Sequence, residues 1–393
     1  MKDKMKSFSA KILYLTITCV SIYSCNEKKI VEKTRYHNIS NAPFDPSTLT
    51  DKNEINIYNR AKSFYQENFR YSPINGGFLV AKNGKILYEN YRGSMHLNAK
   101  DSINMHTPMH IASTSKTFTA MGILYLAQQK LLNLNDPLQK YFPDFPYQGI
   151  TIKTLLSHRS GLANYMNVMN PKEWKDGKKV QNKDVLKFFI EKKPAMQGSP
   201  DRQFTYCNTN YLLLALIIEQ VTKKTLGDYL KEVFFEPLEM KNTFVCNSAF
   251  QKDHAPSYRG NGIEEGMTWL DDTYGDKNIC STPRDLLKWD QALYNRKMFT
   301  KETIEAAFSP YSFEKPGTHN YGLGWRMHLL GNENKIIYHN GWWHGSNSCF
   351  YRIISDSITI IAIGNRMNTK IYKVKPLIED VTSIRFGNGS SED

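Results

Sequence analysis

Ser113 and Lys116 stand three residues apart in Ile111-Ala112-Ser113-Thr114-Ser115-Lys116-Thr117-Phe118, where a long apolar run through Ala127 begins. The run reads as a helix hydrophobic on nearly every face, and such a helix belongs in the middle of a domain. A helix that starts near Ser113 sets this hydroxyl at the positive end of the helix dipole, with the Lys116 amine one turn away on the same side. Buried there, the amine can take the hydroxyl proton as the oxygen attacks a carbonyl. The bland alternative is a serine that caps its helix and a lysine in water. A second Ser-x-x-Lys, Ser312 to Lys315, is followed by Pro316-Gly317, so no helix can hold that pair in register.

Two further stretches could join this pair. Tyr206-Cys207-Asn208 directly precedes another wholly apolar helix, so a phenol and an amide are tied to buried structure. The tripeptide itself is a weak signal, since Tyr-x-Asn recurs at Tyr36, Tyr88 and Tyr165. His339-Asn340-Gly341 ends a strand pattern. Gly341 lets a substrate backbone come close, while the N–H of Trp342 points into the site. A lone histidine in such a strand is more often a partly buried residue with one hydrogen-bond partner.

These three elements, in this order, resemble the marks of the β-lactamase and penicillin-binding serine hydrolase superfamily, which are Ser-x-x-Lys, Tyr-x-Asn or Ser-x-Asn, and Lys-Thr-Gly. The Tyr version is similar to the class C branch. The flanks Leu155-Leu156-Ser157-His158-Arg159-Ser160-Gly161-Leu162, Cys280-Ser281-Thr282-Pro283-Arg284-Asp285-Leu286 and Tyr321-Gly322-Leu323-Gly324-Trp325 agree, and the resemblance covers roughly residues 55–385. It implies that Ser113 attacks, Lys116 and Tyr206 share proton transfer, and Asn208 orients the substrate. It also implies that His339, Asn340 and Gly341 line the substrate strand, and that the N–H groups of Ser113 and Trp342 form the oxyanion hole. No metal or organic cofactor is implied.

One departure matters: His339 and Asn340 stand where the β-lactamases carry Lys and Thr or Ser. His-x-Gly is familiar in the esterases and D-aminopeptidases of the superfamily. The expected activity is therefore hydrolysis of a small ester, a D-amino-acid peptide or a β-lactam-like amide through an acyl-enzyme, with Trp342 and Trp343 narrowing the acyl pocket. A penicillin-sensing envelope protein with the same fold, or a true class C-like β-lactamase, remains the alternative. The Ser-His-Asp hydrolases want Gly-x-Ser-x-Gly, which is absent. His106 and His110 have metal-ligand spacing, but Pro108 between them argues against a helix presenting both.

The elements that must position these residues divide into three blocks. Residues 53–69 have helical spacing, and 77–81 with 85–88 across Asn83-Gly84 read as a hairpin with a type I′ turn. Residues 131–296 read as helix and loop, with helices at 152–156, 183–190, 211–221, 225–234 and 282–294. Strand patterns return at 335–339, 348–354 and 357–363, before a terminal helix from about 371. Strands at both ends with helices between do not alternate β-α-β. The expected architecture is α+β: an antiparallel sheet built from both chain ends and flanked by helices, with a helical subdomain over about 117–296 inside a hydrolase domain spanning 54–390.

Composition fits a globular chain of 393 residues, 40% hydrophobic and 12% aromatic. The basic start and the apolar stretch 12–22, too short to span a bilayer, read as a signal peptide over 1–24. Ile22-Tyr23-Ser24-Cys25 is similar to a bacterial lipobox, with Tyr23 unusual there. The expectation is a lipidated Cys25 on a polar tether through residue 53, anchoring the domain to a membrane of the cell envelope, periplasmic or outer. Removing 1–24 lowers the net charge from +13 to +10, a basicity that suits anionic envelope polymers. The lysines are scattered through all segments, which argues against nucleic acid as a partner. Cys207, Cys246, Cys280 and Cys349 are far apart in sequence with no Cys-x-x-Cys, so no metal cluster and no disulfide pairing follows from spacing. Oligomeric state is left open.

Overall fold

A computed structural model describes residues 39, 42–97, 99–173, 179–248, 253–294, 298–331 and 335–386. The expected signal peptide over 1–24 and Cys25 lie outside the described residues. Among the described residues, no helix is long and apolar enough to cross a membrane.

A seven-stranded antiparallel sheet is assembled from both chain ends. The hairpin β1 (Gly76–Lys82) and β2 (Lys85–Arg92) turns through Asn83 and Gly84, at φ 52° and 80°, as a type I′ turn requires. The next strands in sequence, β3 (Met109–His110), β4 (Phe244–Val245) and β5 (Ile279–Ser281), form a small separate sheet in the order β3-β5-β4. The rest of the main sheet is β6 (His319–Tyr321), β7 (Arg326–Leu329), β8 (Lys335–Trp343), β9 (Ser346–Ile353) and β10 (Ile358–Gly364), in the order β2-β1-β10-β9-β8-β7-β6. The first strand of the chain thus lies beside the last, Leu79 opposite Ile361 and Gly76 opposite Gly364.

Strand alternation gives the sheet two apolar faces. On one, Phe78, Val80, Tyr338, Tyr351, Ile360 and Ala362 pack with α1 (Lys52–Asn68) and the terminal α10 (Lys375–Val381). Asp51 caps α1, accepting from the N–H groups of Asn53 and Glu54 at 2.9 and 3.0 Å, and the helix buries Ile57, Ala61 and Tyr65, four residues apart each time. On the other face, Leu79, Ala81, Ile337, Phe350, Ile361 and Ile363 meet the helical block. There α2 (Ser115–Gln128) and α6 (Asn208–Thr222) are buried along almost their whole length, which is why neither shows a polar stripe. Thr282 caps α8 (Pro283–Ala292), with Pro283 in the first turn where its missing N–H costs nothing.

The architecture is the expected one, with three differences. The strands β6 and β7 lie in a stretch that shows too short an apolar alternation to read as strand. Three short strands form the small sheet, two of them inside the stretch read as helix and loop, because two- and three-residue strands carry no periodicity. Residues 42–51, placed in the tether from their prolines and polarity, lie against the domain: Phe44 N–H donates to Glu89 Oε1 at 3.1 Å, Arg284 Nη2 donates to Ala42 O at 2.8 Å, and Leu49 is buried.

Candidate active site

The segment from His110 to Lys116 is held by hydrogen bonds both within itself and to other parts of the fold. Ile111 N–H donates to Ile279 O at 2.9 Å in the small sheet. Ala112 stands at φ 49°, a left-handed conformation that costs an alanine energy. Its N–H donates to His110 Nδ1 at 3.1 Å, and the other ring nitrogen of His110 lies 2.8 Å from Asn278 Oδ1. Thr114 Oγ1 meets Ser348 Oγ at 2.9 Å, Ser348 Oγ donates to Ile111 O at 2.7 Å, and Ser115 Oγ accepts from Ile279 N–H at 3.0 Å. Ala112 to Thr114 form one 3₁₀ turn that runs into α2, so Ser113 precedes the α-helix proper by two residues while Lys116 lies in its first turn.

Lys116 is fully buried, and its Nζ has three oxygen neighbours: Ser113 Oγ at 3.2 Å, Asn208 Oδ1 at 2.8 Å and Asp276 O at 2.7 Å. Asn208 Oδ1 and Asp276 O can only accept, so two of the Nζ hydrogens go to them and the remaining direction of the nitrogen faces the Ser113 hydroxyl. The ring of Tyr206 stands 5.0 Å from Nζ and that of Tyr211 5.6 Å, so the amine is walled by aromatic faces. Tyr206 itself is sandwiched, with His158 at 4.3 Å between ring centroids and the Arg326 guanidinium 5.3 Å from its ring. His158 Nδ1 accepts from Cys207 N–H at 3.1 Å, which fixes the backbone between Tyr206 and Asn208. Burial pushes the His158 imidazole well below its ordinary value, with Lys116, His339 and Arg326 acting the same way, so it is a neutral support.

The third element is the end of β8. Pairing with β7 stops at Tyr338 opposite Arg326, while pairing with β9 continues to Trp343, so residues 339–343 have a strand on one side only. A β-carbon placed on Gly341 would stand 2.3 Å from Ile111 O and 3.0 Å from Ser113 N, so glycine alone lets this strand lie against the Ser113 turn. His339 shares that face. It is fully buried, its Nδ1 2.8 Å from Asn340 O and its Nε2 3.2 Å from Tyr321 Oη. Burial holds its imidazole well below the usual range, with Arg326 and Lys116 adding to the effect.

Asn340 departs from expectation. Alternation turns its side chain to the opposite face, where Nδ2 lies 3.4 Å from Tyr351 Oη, so the amide does not point toward Ser113. The Trp342 side chain is 65% exposed, with its indole N–H donating to His344 O at 2.7 Å. Trp343 donates its indole N–H to Asp271 Oδ1 at 2.8 Å and carries Lys277 over its ring at 4.7 Å. Burial opposes ionisation of Asp271, yet His344, the Thr268 N–H and Trp343 together hold its carboxyl down at about 2.

The fold therefore brings together Ser113, Lys116, Tyr206, Asn208, His339, Gly341 and the backbone leading to Trp342. It adds His110, His158, Asp276 and Ser348, which touch these candidate residues or the turn that carries them without being visible as a motif. Asp276 contributes a carbonyl, which any residue type supplies. Ser312 and Lys315 of the second Ser-x-x-Lys lie on a loop outside any helix, where Arg159 bonds Glu314 and the Tyr311 carbonyl. His106 is in an exposed turn while His110 is buried in β3, so the two do not form a ligand pair.

Comparison with known proteins agrees with this fold. Residues 71–378 match the family model described as Beta-lactamase. The chain is 31% identical over 330 residues to penicillin-binding protein 4* of Bacillus subtilis, covering 80% of this chain and 73% of that one. It is 30% identical over 276 residues to protein flp of Staphylococcus aureus, covering 67% of this chain but about half, 54%, of the relative. Among solved structures, a penicillin-binding protein from Bacillus halodurans superposes with a TM-score of 0.72 at 22% identity, covering 81% of this chain and 99% of that one. The D-amino acid amidase of Ochrobactrum anthropi gives 0.69 at 21% identity, covering 83% and 97%. At those identities the structures show a shared fold.

Proposed function

Because the chain belongs to the beta-lactamase family, we propose that this serine hydrolase turns over small esters and short D-amino-acid amides or peptides through an acyl-enzyme on Ser113. The observation that carries the reading is the Lys116 amine, buried and 3.2 Å from Ser113 Oγ, with its two remaining polar contacts both to acceptors. Ser113 Oγ attacks the substrate carbonyl while its proton passes to Nζ. The developing oxyanion sits between the N–H groups of Ser113 and Trp342, at the strand edge that Gly341 brings close. Collapse of the tetrahedral species expels the alcohol or amine, which takes the proton from Lys116 with Tyr206 as the relay. Water then attacks the acyl group, returning Ser113 and releasing the acid.

The substrate preference rests on His339. Neutral and buried, it gives a carboxylate no countercharge, and a carboxylate is what penicillins and cephalosporins present beside the reactive amide. The naming of one solved relative as a D-amino acid amidase, and of another as EstCE1, a hydrolase with acyltransferase activity, supports amides and esters as the classes to test. The test is mass spectrometry of the protein after a fluorophosphonate, a penicillin and an activated ester, with turnover followed in parallel. An adduct on Ser113 that is absent in Ser113→Ala is expected, with the ester turning over; an adduct elsewhere refutes the assignment.

We also propose that Cys25 is acylated and that the domain is tethered to a membrane of the cell envelope. The support is the basic start, the short apolar run and Ser24-Cys25 at its end. A Cys25→Ser chain that remains as membrane-bound as the parent in a bacterial host would exclude it.

A further inference from the structure

The small sheet behind the nucleophile turn carries one thiol on β5 and a second one residue past the adjacent β4. Cys280 lies in β5 opposite Phe244, and Cys246, just past β4, donates its N–H to Asn278 O at 2.8 Å. Both thiols are buried. His254 reaches the same place from a separate loop, which is held because Ala255 N–H donates to Pro108 O at 3.0 Å. One donor atom from each of Cys246, His254 and Cys280 lies within 4.8 Å of the other two.

Three observations suit a metal ion better than a packed core. A tetrahedral ion with bonds of about 2.3 Å to sulfur and about 2.0 Å to nitrogen separates its ligand atoms by roughly 3.5–3.8 Å, within about 1 Å of the spacing found. His254 Nδ1 stands 3.0 Å from Ala255 O. Donation there fixes the tautomer and leaves the Nε2 lone pair free, as ligating histidines are commonly arranged. Cys246 and His254 also line a cleft together with Glu265, whose Oε2 is buried with no hydrogen bond among the described residues, its nearest polar neighbour being His344 Nδ1 at 3.7 Å. A ligand or water in the cleft could donate to that oxygen.

A disulfide fits the register less well. Cys246 faces Asn278 and Cys280 faces Phe244, so the two cysteines are diagonal neighbours, a relation that places α-carbons about 7–8 Å apart. Bridged cysteines rarely exceed about 7 Å.

We propose that Cys246, His254 and Cys280 form a Cys₂His site for a borderline-soft divalent ion, zinc foremost, with the fourth position open to the cleft. Binding converts two thiols to thiolates and releases two protons, so affinity rises with pH. The ion takes no part in the acyl chemistry. Its place is structural: it ties β4, β5 and the His254 loop into one unit, and β5 holds the nucleophile turn through Ile111 and Ser115. The spacing in sequence conceals the site, because the ligands come from three segments with no short repeat.

The experiment uses the full chain purified with reductant, stripped by chelator and dialysed against zinc or cobalt(II). The expected result is one ion per chain by elemental analysis, a thiolate-to-cobalt charge-transfer band in the near ultraviolet, and a melting temperature that drops on chelation and recovers with zinc. His254→Ala, Cys246→Ser and Cys280→Ser should each weaken binding by at least about 10–100-fold, which is what loss of an outer-shell partner alone costs. The cobalt spectrum of the parent decides the matter even where a variant fails to fold. Absence of stoichiometric zinc and of the cobalt band in the parent, unchanged binding in the Cys246→Ser/Cys280→Ser double variant, or a Cys246–Cys280 disulfide in protein purified with zinc and without reductant would each overturn the proposal.

Discussion

Replacing Gly341 by alanine tests whether the spacing between β8 and the nucleophile turn sets the reaction geometry. The added β-carbon would lie 2.3 Å from Ile111 O, 2.6 Å from Ser348 Oγ and 3.0 Å from Ser113 N. Ordinary van der Waals contact begins near 3.4 Å, so strand or turn must retreat by about 1 Å. The turn resists, being held by Ile279, His110 and Ser348. Overpacking of this kind costs about 1–3 kcal/mol of stability. The larger effect is kinetic: a displacement of about 1 Å between nucleophile and oxyanion donors lowers the rate by about 100-fold. Stopped-flow acylation with an activated ester reads the rate, and denaturant unfolding reads the stability. Gly266→Ala, where a β-carbon meets nothing within 4 Å, is the control. Parental acylation in a Gly341→Ala protein of parental stability would refute the reasoning.

Three further outcomes are expected. Lys116→Met removes the proposed proton acceptor and leaves Asn208 Oδ1 and Asp276 O without their donor; kcat/KM for an ester should fall about 10²–10⁴-fold and stability by about 1–3 kcal/mol for each stranded acceptor, and near-parental turnover would exclude Lys116 as the base. His110, His158 and His339 are buried, with imidazoles pushed below 6.5 by burial first of all, His110 to about 3. The unfolded chain therefore binds more protons below pH 6.5, so their contribution is complete above that pH and lost as it falls, about 2 kcal/mol from His110 alone between pH 6.5 and 5; urea unfolding at the two pH values checks it, and equal midpoints would contradict it. His339→Lys should raise kcat/KM for a chromogenic cephalosporin relative to a nitrophenyl ester by about 10-fold, a charge-assisted hydrogen bond being worth roughly 1 kcal/mol or more beyond a neutral one; an unchanged ratio in a folded variant would remove His339 from the account of specificity.

What the sequence disclosed follows from the strength of each local signal. The helices α2 and α6 were legible because their apolar runs are long, and the hairpin because Asn83-Gly84 permits the turn. The strands of the small sheet were not, since Met109-His110 and Phe244-Val245 are too short to alternate. At the site, Ser113 and Lys116 lie on one turn of chain, so spacing alone relates them. Tyr206, Asn208 and His339 join them only through tertiary folding and were reached through resemblance. His110, His158 and Asp276 act through ring nitrogens or a backbone carbonyl at positions without a motif. Asn340 misled because the tripeptide suggests a row of substrate contacts, whereas a strand sends adjacent side chains to opposite faces.

The adjacency of β1 and β10 has a consequence for how the chain acquires its structure. β10 separates β1 from β9, so the hairpin at 76–92 has no route into the sheet until residues 358–364 have been synthesised. Until then Phe78 and Val80 on one side, and Leu79 and Ala81 on the other, lack the neighbours that cover them in the finished sheet. Closing a loop of that length is entropically costly and is repaid only when all the central strands dock. Assembly of the main sheet is therefore a late event, and the nucleophile turn, braced by Ser348 of β9, reaches its final form only with it. A chain truncated before β10 should retain helical segments yet lack a working Ser113, and would expose unpaired strand edges that favour self-association.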